Sequence, residues 1–545
     1  MSAAFVFIRV HSWLRQFFPP TFMDAPATTP GGWLLVAAMV TPLAGALVSP
    51  PGGGGAGGAG GEGGGGPGGG LPAAHPAGGR AAGRVGLAVS AAGVVLAAAI
   101  LAAVVRADAP MVYVVGGWAP PLGVSLRADG AAAAMLLMSA LVLAATAAFA
   151  RGDFATPAGV PEARRPLAFW VLFQGLATAL VTVFTANDLF TLFVALELLT
   201  FAAVPLVSLD GRAATLEAAL RYLLFAILGS LLYLLGTGLL YGMFGGLDLT
   251  LLAGRAAGSP AAPAAVALMI VGLLAKAALF PLHLWLPSAH AGAPPAASAV
   301  LSALVVKGAF FLVLRLWFEL LGPAPPAAAA QLLAACGAGA VLYGSVLALR
   351  QARLKLLVAY STLAQIGYLF LVFPLADAGA GLQAQALTGG WLQAVSHALA
   401  RAAMFLGAGL LAGALGGGRL HDLRGAARVL PVTVLAVALS GFSLIGLPPS
   451  GGFRAKWLML NAAVVTGQWW WGLVIITGGV LSVGYVFRVL NACLARGEAA
   501  PVVQAPVARH RELIVLALAL VSLLLGFSAL YPQDLVMLGR TGGGP

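Results

Sequence analysis

Apolar segments of membrane-spanning length recur along almost the whole of this chain, with short loops between them. A helix needs roughly 20 apolar residues to cross the hydrocarbon core of a bilayer. Inside that core every backbone N–H and C=O must find a partner within the protein. The recurrence therefore excludes a soluble globular domain and points to an all-α, multi-pass membrane protein. A composition of 61% hydrophobic and 8% charged residues agrees. About fourteen transmembrane segments can be read, near 33–49, 85–105, 131–150, 167–186, 188–208, 218–243, 264–286, 295–321, 327–349, 352–375, 383–415, 430–461, 469–493 and 512–530. The eleventh and twelfth are long enough to be bent or broken.

If the spans alternate, one set of loops collects most of the cations, from Arg80 and Arg84 through Arg151, Arg164 and Arg165 to Arg496, Arg509 and Arg511. The opposite loops hold only Arg9, Arg15, Arg106, Arg127, Arg255 and Arg540. Loops rich in Lys and Arg stay cytoplasmic. The expectation is a multi-pass protein of the cell (inner or plasma) membrane with both termini outside the cytoplasm. The net charge of +12 then faces anionic lipid and cytoplasm, and no nucleic-acid partner is implied. Residues 51–70 are almost all glycine, and their repeats mimic a nucleotide-binding pattern without a strand or helix around it. Residues 1–32 read as an N-terminal extension, either an interfacial helix or the product of a start placed upstream of Met23. Cys336 and Cys493 lie far apart in apolar runs and suggest packing, with no metal site and no disulfide.

Cation usage is lopsided. Only four lysines occur, Lys276, Lys307, Lys355 and Lys456, so arginine supplies the other 25 of the 29 basic residues. At least three of the four lie inside apolar runs. A desolvated lysine can release its proton, whereas an arginine cannot. Lysine retained where a cation is least tolerated points to proton carriage.

Two spans are interrupted. In GLLAKAALFPLHLWLP, Gly272 to Pro287, Pro281 removes a backbone donor and breaks the helix just beyond Lys276. In GFSLIGLPPSGGFRAKWLML, Gly441 to Leu460, the sequence Pro448-Pro449 with Gly451 and Gly452 breaks the helix just before Lys456. Interrupted spans in corresponding halves point to an inverted-repeat transporter with its ion path at the breaks. Two ordinary proline kinks are the plainer alternative. Glu197, in the middle of its span, requires a partner, and Lys276 is the natural one. His283 and His397 titrate near neutrality and suit a relay through water. Arg401, one turn after His397, suits an electrostatic gate. Ser361 and Gln365, in AYSTLAQIGY, suit a hydrated path.

The run GLLAKAALFPLHLWLPSAHAGAPPAASAVLSALVVKGAFFLVLRL, followed in order by RLKLLVAYSTLAQIGYLFL and GFSLIGLPPSGGFRAKWLML, resembles the proton-translocating antiporter-like subunits. Those occur in respiratory complex I, membrane-bound hydrogenases and multi-subunit Na+/H+ (Mrp) antiporters. The resemblance covers about residues 130–495. It implies two inverted five-helix repeats, 151–321 and 322–495, each with a broken helix. Peripheral helices at 33–150 precede them, and a last helix with a short tail at 496–545 follows. It implies a proton axis of Glu197, Lys276, Lys307 and Lys456 with His283 and His397. Arg401 departs from it, standing where several members have lysine. The resemblance further implies a non-redox subunit of an NADH:quinone oxidoreductase-like complex, without cofactor in this chain, embedded among other membrane subunits. Alternatives are a subunit of an Mrp-type antiporter moving Na+ as well as protons, a partner in bicarbonate uptake, and a non-conducting membrane scaffold.

Overall fold

The computed structural model describes residues 27–48, 78–155, 164–256, 258–321, 326–376, 380–495, 502–527 and 532–539. The glycine tract, Met23 and most of the N-terminal extension lie outside them. The chain begins with α1 (Trp33–Val48) and α2 (Gly78–Ala107). An antiparallel hairpin follows, β1 (Met111–Val114) and β2 (Ser125–Ala128), with Met111 opposite Ala128. Then come α3 (Gly130–Ala150), α4 (Arg164–Thr185), α5 (Leu189–Val207), α6 (Ala213–Phe244), the short α7 (Leu249–Ala256), α8 (Ala262–Lys276) and the short α9 (Leu286–Gly292). The second half holds α10 (Pro295–Leu320), α11 (Ala327–Arg350), α12 (Leu354–Leu375), α13 (Ala380–Leu415), α14 (Ala426–Val429), α15 (Pro431–Ile445), α16 (Gly451–Val465) and α17 (Trp469–Leu494). It closes with α18 (Arg509–Leu524) and α19 (Pro532–Met537).

Among the described residues, eleven helices are long and apolar enough to cross a membrane. Three further apolar helices, Trp33–Leu47, Ala262–Lys276 and Pro431–Ile445, are shorter. Helix length alone therefore does not reach about fourteen spans. Two of the three short helices are the first halves of the interrupted segments, and the interruption is what shortens them. The eleventh segment is one helix of 36 residues, whereas the twelfth divides into α15 and α16.

Burial is graded. Helix α10 is enclosed almost completely and α12 and α13 nearly so, while α2 and α18 turn most of their surface outward. The polar side chains of interest sit mostly on the enclosed helices.

Two devices recur in both halves. Helix α5 starts where the Leu189 N–H donates to the Leu247 carbonyl and the Leu249 N–H to that of Asn187 (3.0 and 2.8 Å). Helix α12 starts the same way, with Leu354 donating to Gly418 and Leu420 to Ala352, both at 2.8 Å. The second device is a glycine pair. A Cβ on Gly272 would lie 2.3 Å from the Gly229 carbonyl oxygen, and one on Gly367 would lie 2.3 Å from that of Gly337. Small residues of this kind let helix backbones approach closely in membranes.

A buried polar network ties the hairpin to the spans. Ser125 donates to Asp248 (2.6 Å), and Asn187 donates to Asp248 (3.1 Å). Arg315 donates to the Asn187 side-chain oxygen (2.9 Å) and to Glu319 (3.2 Å), which also receives Arg127 (3.2 Å). No isolated buried charge is left there, which is the condition for charges to be tolerated at such depth.

Gly272→Ala is expected to push α8 off α6. The cost should be about 1–3 kcal/mol, the usual scale of overpacking, read as a lower unfolding temperature of the detergent-solubilised protein.

Candidate functional site

The first interruption is a loss of helix over residues 277–285. Helix α8 stops at Lys276 itself, several residues before Pro281, and Ala278 adopts a left-handed backbone with φ of 54°. The Trp285 indole N–H donates to the Ala275 carbonyl at 3.0 Å, so one carbonyl freed by the break keeps a partner. Pro281 lies inside the non-helical stretch and keeps it from re-forming a helix.

Lys276, 7% exposed, lies with its Nζ 3.4 Å from Glu197 Oε1 and donates to Thr200 Oγ1 at 3.1 Å. The Ser230 hydroxyl donates to the same Glu197 oxygen. Three helices, α5, α6 and α8, thus supply one carboxylate, one ammonium and two hydroxyls. Glu197 is 24% exposed, on the α5 face that also presents Val194 and Phe201. A carboxylate there gains from both its ion pair and its hydroxyl donor.

Lys307 is fully buried. It sits in α10 just after a π-helical turn at Leu301–Val305, and a second such turn covers Leu316–Leu320. Its Nζ donates to the Ser302 carbonyl at 2.6 Å, within the first of those turns. π-turns of this kind concentrate at functional positions.

His397 and Arg401 form one cluster on α13. Arg401 is wholly buried and donates to four neutral acceptors: His397 Nε2 (3.2 Å), the Val358 carbonyl (3.0 Å), Ser361 Oγ (2.7 Å) and the Ser361 carbonyl (3.1 Å). An Nε2 that accepts leaves the ring proton on Nδ1. Ser361 passes its own hydrogen to Val358 at 2.9 Å. Gln365 receives Gln393 (2.9 Å) and donates to the Leu444 carbonyl (3.0 Å).

The second interruption separates α15 from α16. Gly446 carries a left-handed φ of 88°, Pro448 and Pro449 follow, and Ser450 caps α16 by accepting the Phe453 N–H at 3.1 Å. From the second half-helix, Lys456 reaches back and donates to the carbonyls of Leu444 (2.8 Å) and Ile445 (3.0 Å). Its Nζ lies 4.4 Å from the centre of the Tyr368 ring. The negative end of α15 and an aromatic face both favour a cation. The two breaks are chemically unlike: Lys276 faces a carboxylate, Lys456 faces neutral carbonyls.

His283 stands apart from both lysines' partners, stacked on Phe280 (5.4 Å) and edge-on to Tyr343 (5.1 Å). Lys355, in the first turn of α12, donates to the Ala293 carbonyl between α9 and α10.

Several members of the cluster are not singled out by the sequence pattern. Thr200 could have been found, because it lies one helical turn after Glu197. Ser230 has no such signal. His290 is fully buried, with both ring nitrogens lacking a partner, between the rings of Trp285 and Phe405, each 6.0 Å away. The charges of Lys307, Arg401 and Lys355 all act on it. Its place in an alanine- and proline-rich run hides it among packing residues. Among the described residues no group of three or more His, Cys, Asp or Glu side chains could hold a metal ion.

Lys456→Met is expected to leave the Ile445 carbonyl short of a donor, while Gln365 still serves that of Leu444. The loss should be about 1–3 kcal/mol for the acceptor left without one, measured by denaturation in detergent.

Residues 186–482 match the transmembrane family described as NADH:quinone oxidoreductase/Mrp antiporter. The chain is 33% identical over 422 residues to the NADH-quinone oxidoreductase subunit N of Desulforudis audaxviator, spanning 76% of this chain and 81% of that one. Its fold is similar to a chain of the membrane-bound sulfane sulfur reductase, an archaeal respiratory membrane complex, with a TM-score of 0.79 at 24% identity. That match covers 92% of this chain and 96% of the other. A chain of the Mrp complex from a Dietzia species is similar too, with a TM-score of 0.76 at 23% identity over 93% and 96%.

Proposed function

The chain belongs to the NADH:quinone oxidoreductase/Mrp antiporter family of membrane subunits, and from that premise we propose that it carries protons across the membrane within a multi-subunit NADH:quinone oxidoreductase-like complex. The observation that carries this reading is the ion pair at the first break, where Lys276 meets Glu197 at 3.4 Å beside the hydroxyls of Thr200 and Ser230. A cation whose anion sits on a neighbouring helix has two states. With the pair closed the ammonium is held. With the pair opened it loses the charge that favours its proton.

From there the proton passes to Lys307 and on to the His397–Arg401 cluster, and it leaves beyond Lys456. His283 and His290 flank this route. Arg401 keeps its proton and sets the local potential, while Ser361 and Gln365 hold the cluster in place. Interrupted helices suit this work, because non-helical backbone at membrane depth lines polar paths. Residues 151–321 and 322–495 are the two repeats, each with one break. Helix α18, in the segment that follows the repeats, packs against α15 of the second. Redox chemistry belongs to partner subunits. The arginine-rich loops favour termini on the non-cytoplasmic side of the cell membrane.

A second reading is an Mrp-type subunit that exchanges Na+ for protons, favoured by the fold likeness to the Dietzia complex. Copurification with redox subunits supports the first reading, and Na+-dependent pH changes in vesicles support the second.

Lys276→Ala in the reconstituted complex is expected to abolish proton movement, followed with a pH-sensitive dye inside vesicles. Wild-type flux in that variant would falsify the proton-carrying reading.

A further inference from the structure

Three serines from three helices meet at the second break. Ser396 on α13 and Ser443 on α15 lie 2.9 Å apart, Ser443 and Ser522 on α18 lie 2.8 Å apart, and Ser396 and Ser522 lie 3.2 Å apart, all measured between hydroxyl oxygens. Ser522 also donates to the Ser396 carbonyl at 3.0 Å. None of the three is more than 2% exposed. Ser396 immediately precedes His397, and Ser443 immediately precedes Leu444, whose carbonyl receives the Lys456 ammonium at 2.8 Å. The triad is thus next in sequence to the histidine on one helix and to the lysine's acceptor on another, while the His397, Arg401 and Lys456 side chains make their direct hydrogen bonds to other groups. Backbone of the break presses on it. A Cβ on Gly451 would lie 3.0 Å from Ser396 Oγ, and one on Gly452 would lie 1.9 Å from the Ser443 carbonyl oxygen.

A second side-chain bridge joins α13 to the lysine's acceptor, the Gln393–Gln365–Leu444 link (2.9 and 3.0 Å). It conducts poorly. An amide passes a proton on only by becoming an imidic acid, and Gln365 is fixed by three hydrogen bonds. A hydroxyl differs in kind, because it donates and accepts at once and turns about its C–O bond. Ser361 is equally engaged, between Arg401 and Val358.

We propose that Ser396, Ser443 and Ser522 form a hydroxyl relay that carries protons between the His397–Arg401 cluster and the second helix break, with a water molecule at each end handing the proton to the first hydroxyl and taking it from the last. Each oxygen takes a proton on a lone pair as its own hydrogen moves to the next oxygen. One O–H bond forms and one breaks at every serine, and no charge stays behind. Rotation of the hydroxyls then resets the chain. Helix α18 lies outside the two five-helix repeats and closes the triad through Ser522. This inference rests on the proton-carrying reading above.

The test compares Ser443→Thr with Ser443→Val in the complete reconstituted complex, because Ser396 and Ser443 touch directly and Ser443 is the member beside the break. The two replacements have nearly the same shape and differ in the hydroxyl. The Thr variant is expected to keep most of the proton flux. The Val variant is expected to lose about a hundredfold, the lower end of what one positioned proton-transfer group contributes, with the complex assembled in the same amount. Equal flux in both variants, whether high or low, overturns the relay: equally high flux makes the hydroxyl dispensable, and equally low flux assigns the position to packing. Lys276→Ala, run beside them, separates the two ideas. If it abolishes flux while the Val variant conducts normally, the proton-carrying reading stands and the relay falls.

Discussion

Backbone that leaves a helix inside a bilayer has no water to turn to, and each freed N–H or C=O must be met by protein at a cost of several kcal/mol if it is not. The architecture around both breaks answers that demand. At the first, an indole N–H takes a released carbonyl. At the second, a lysine ammonium takes two. The same need that stabilises the breaks thus brings a cation to one of them, and the ion path grows out of a backbone constraint. Glu197, Thr200 and Ser230 then supply at the first break what carbonyls supply at the second.

Much of this was legible in the sequence where the determinant is local. Proline and glycine act on their own backbone, so both interruptions can be read from Pro281 and from Pro448 and Pro449. The first falls where it is read, just beyond Lys276: α8 ends there, a left-handed turn at Ala278 follows, and Pro281 lies within the gap. Intramembrane charges are equally visible, because Glu197 and the lysines stand out against an apolar background. A single span cut into two short helices still reads as one apolar run, which accounts for two of the three segments that fall short of a full-length helix.

What escaped depends on pairing across long separations. Ser396, Ser443 and Ser522 are ordinary in their own helices and become a cluster only when α13, α15 and α18 pack together. His290 looks like a packing residue until the fold seats it between Trp285 and Phe405 with no hydrogen-bond partner for either ring nitrogen among the described residues. The β1–β2 hairpin is anchored through Ser125 and Arg127 to residues far along the chain, and neither strand is long enough to announce itself by alternation.

The two π-turns of α10 bear on how such proteins are compared. A π-turn is what remains when a helix takes in one extra residue and keeps its other contacts. With one turn on either side of Lys307, the number of residues from Pro295 to that lysine, and from the lysine to Leu320, is free to differ by one in a relative whose lysine stands in the same place. Insertions and deletions that would rotate an ordinary span out of register are absorbed here. Residue counting along this span is therefore a poor guide to where the ammonium stands among the helices.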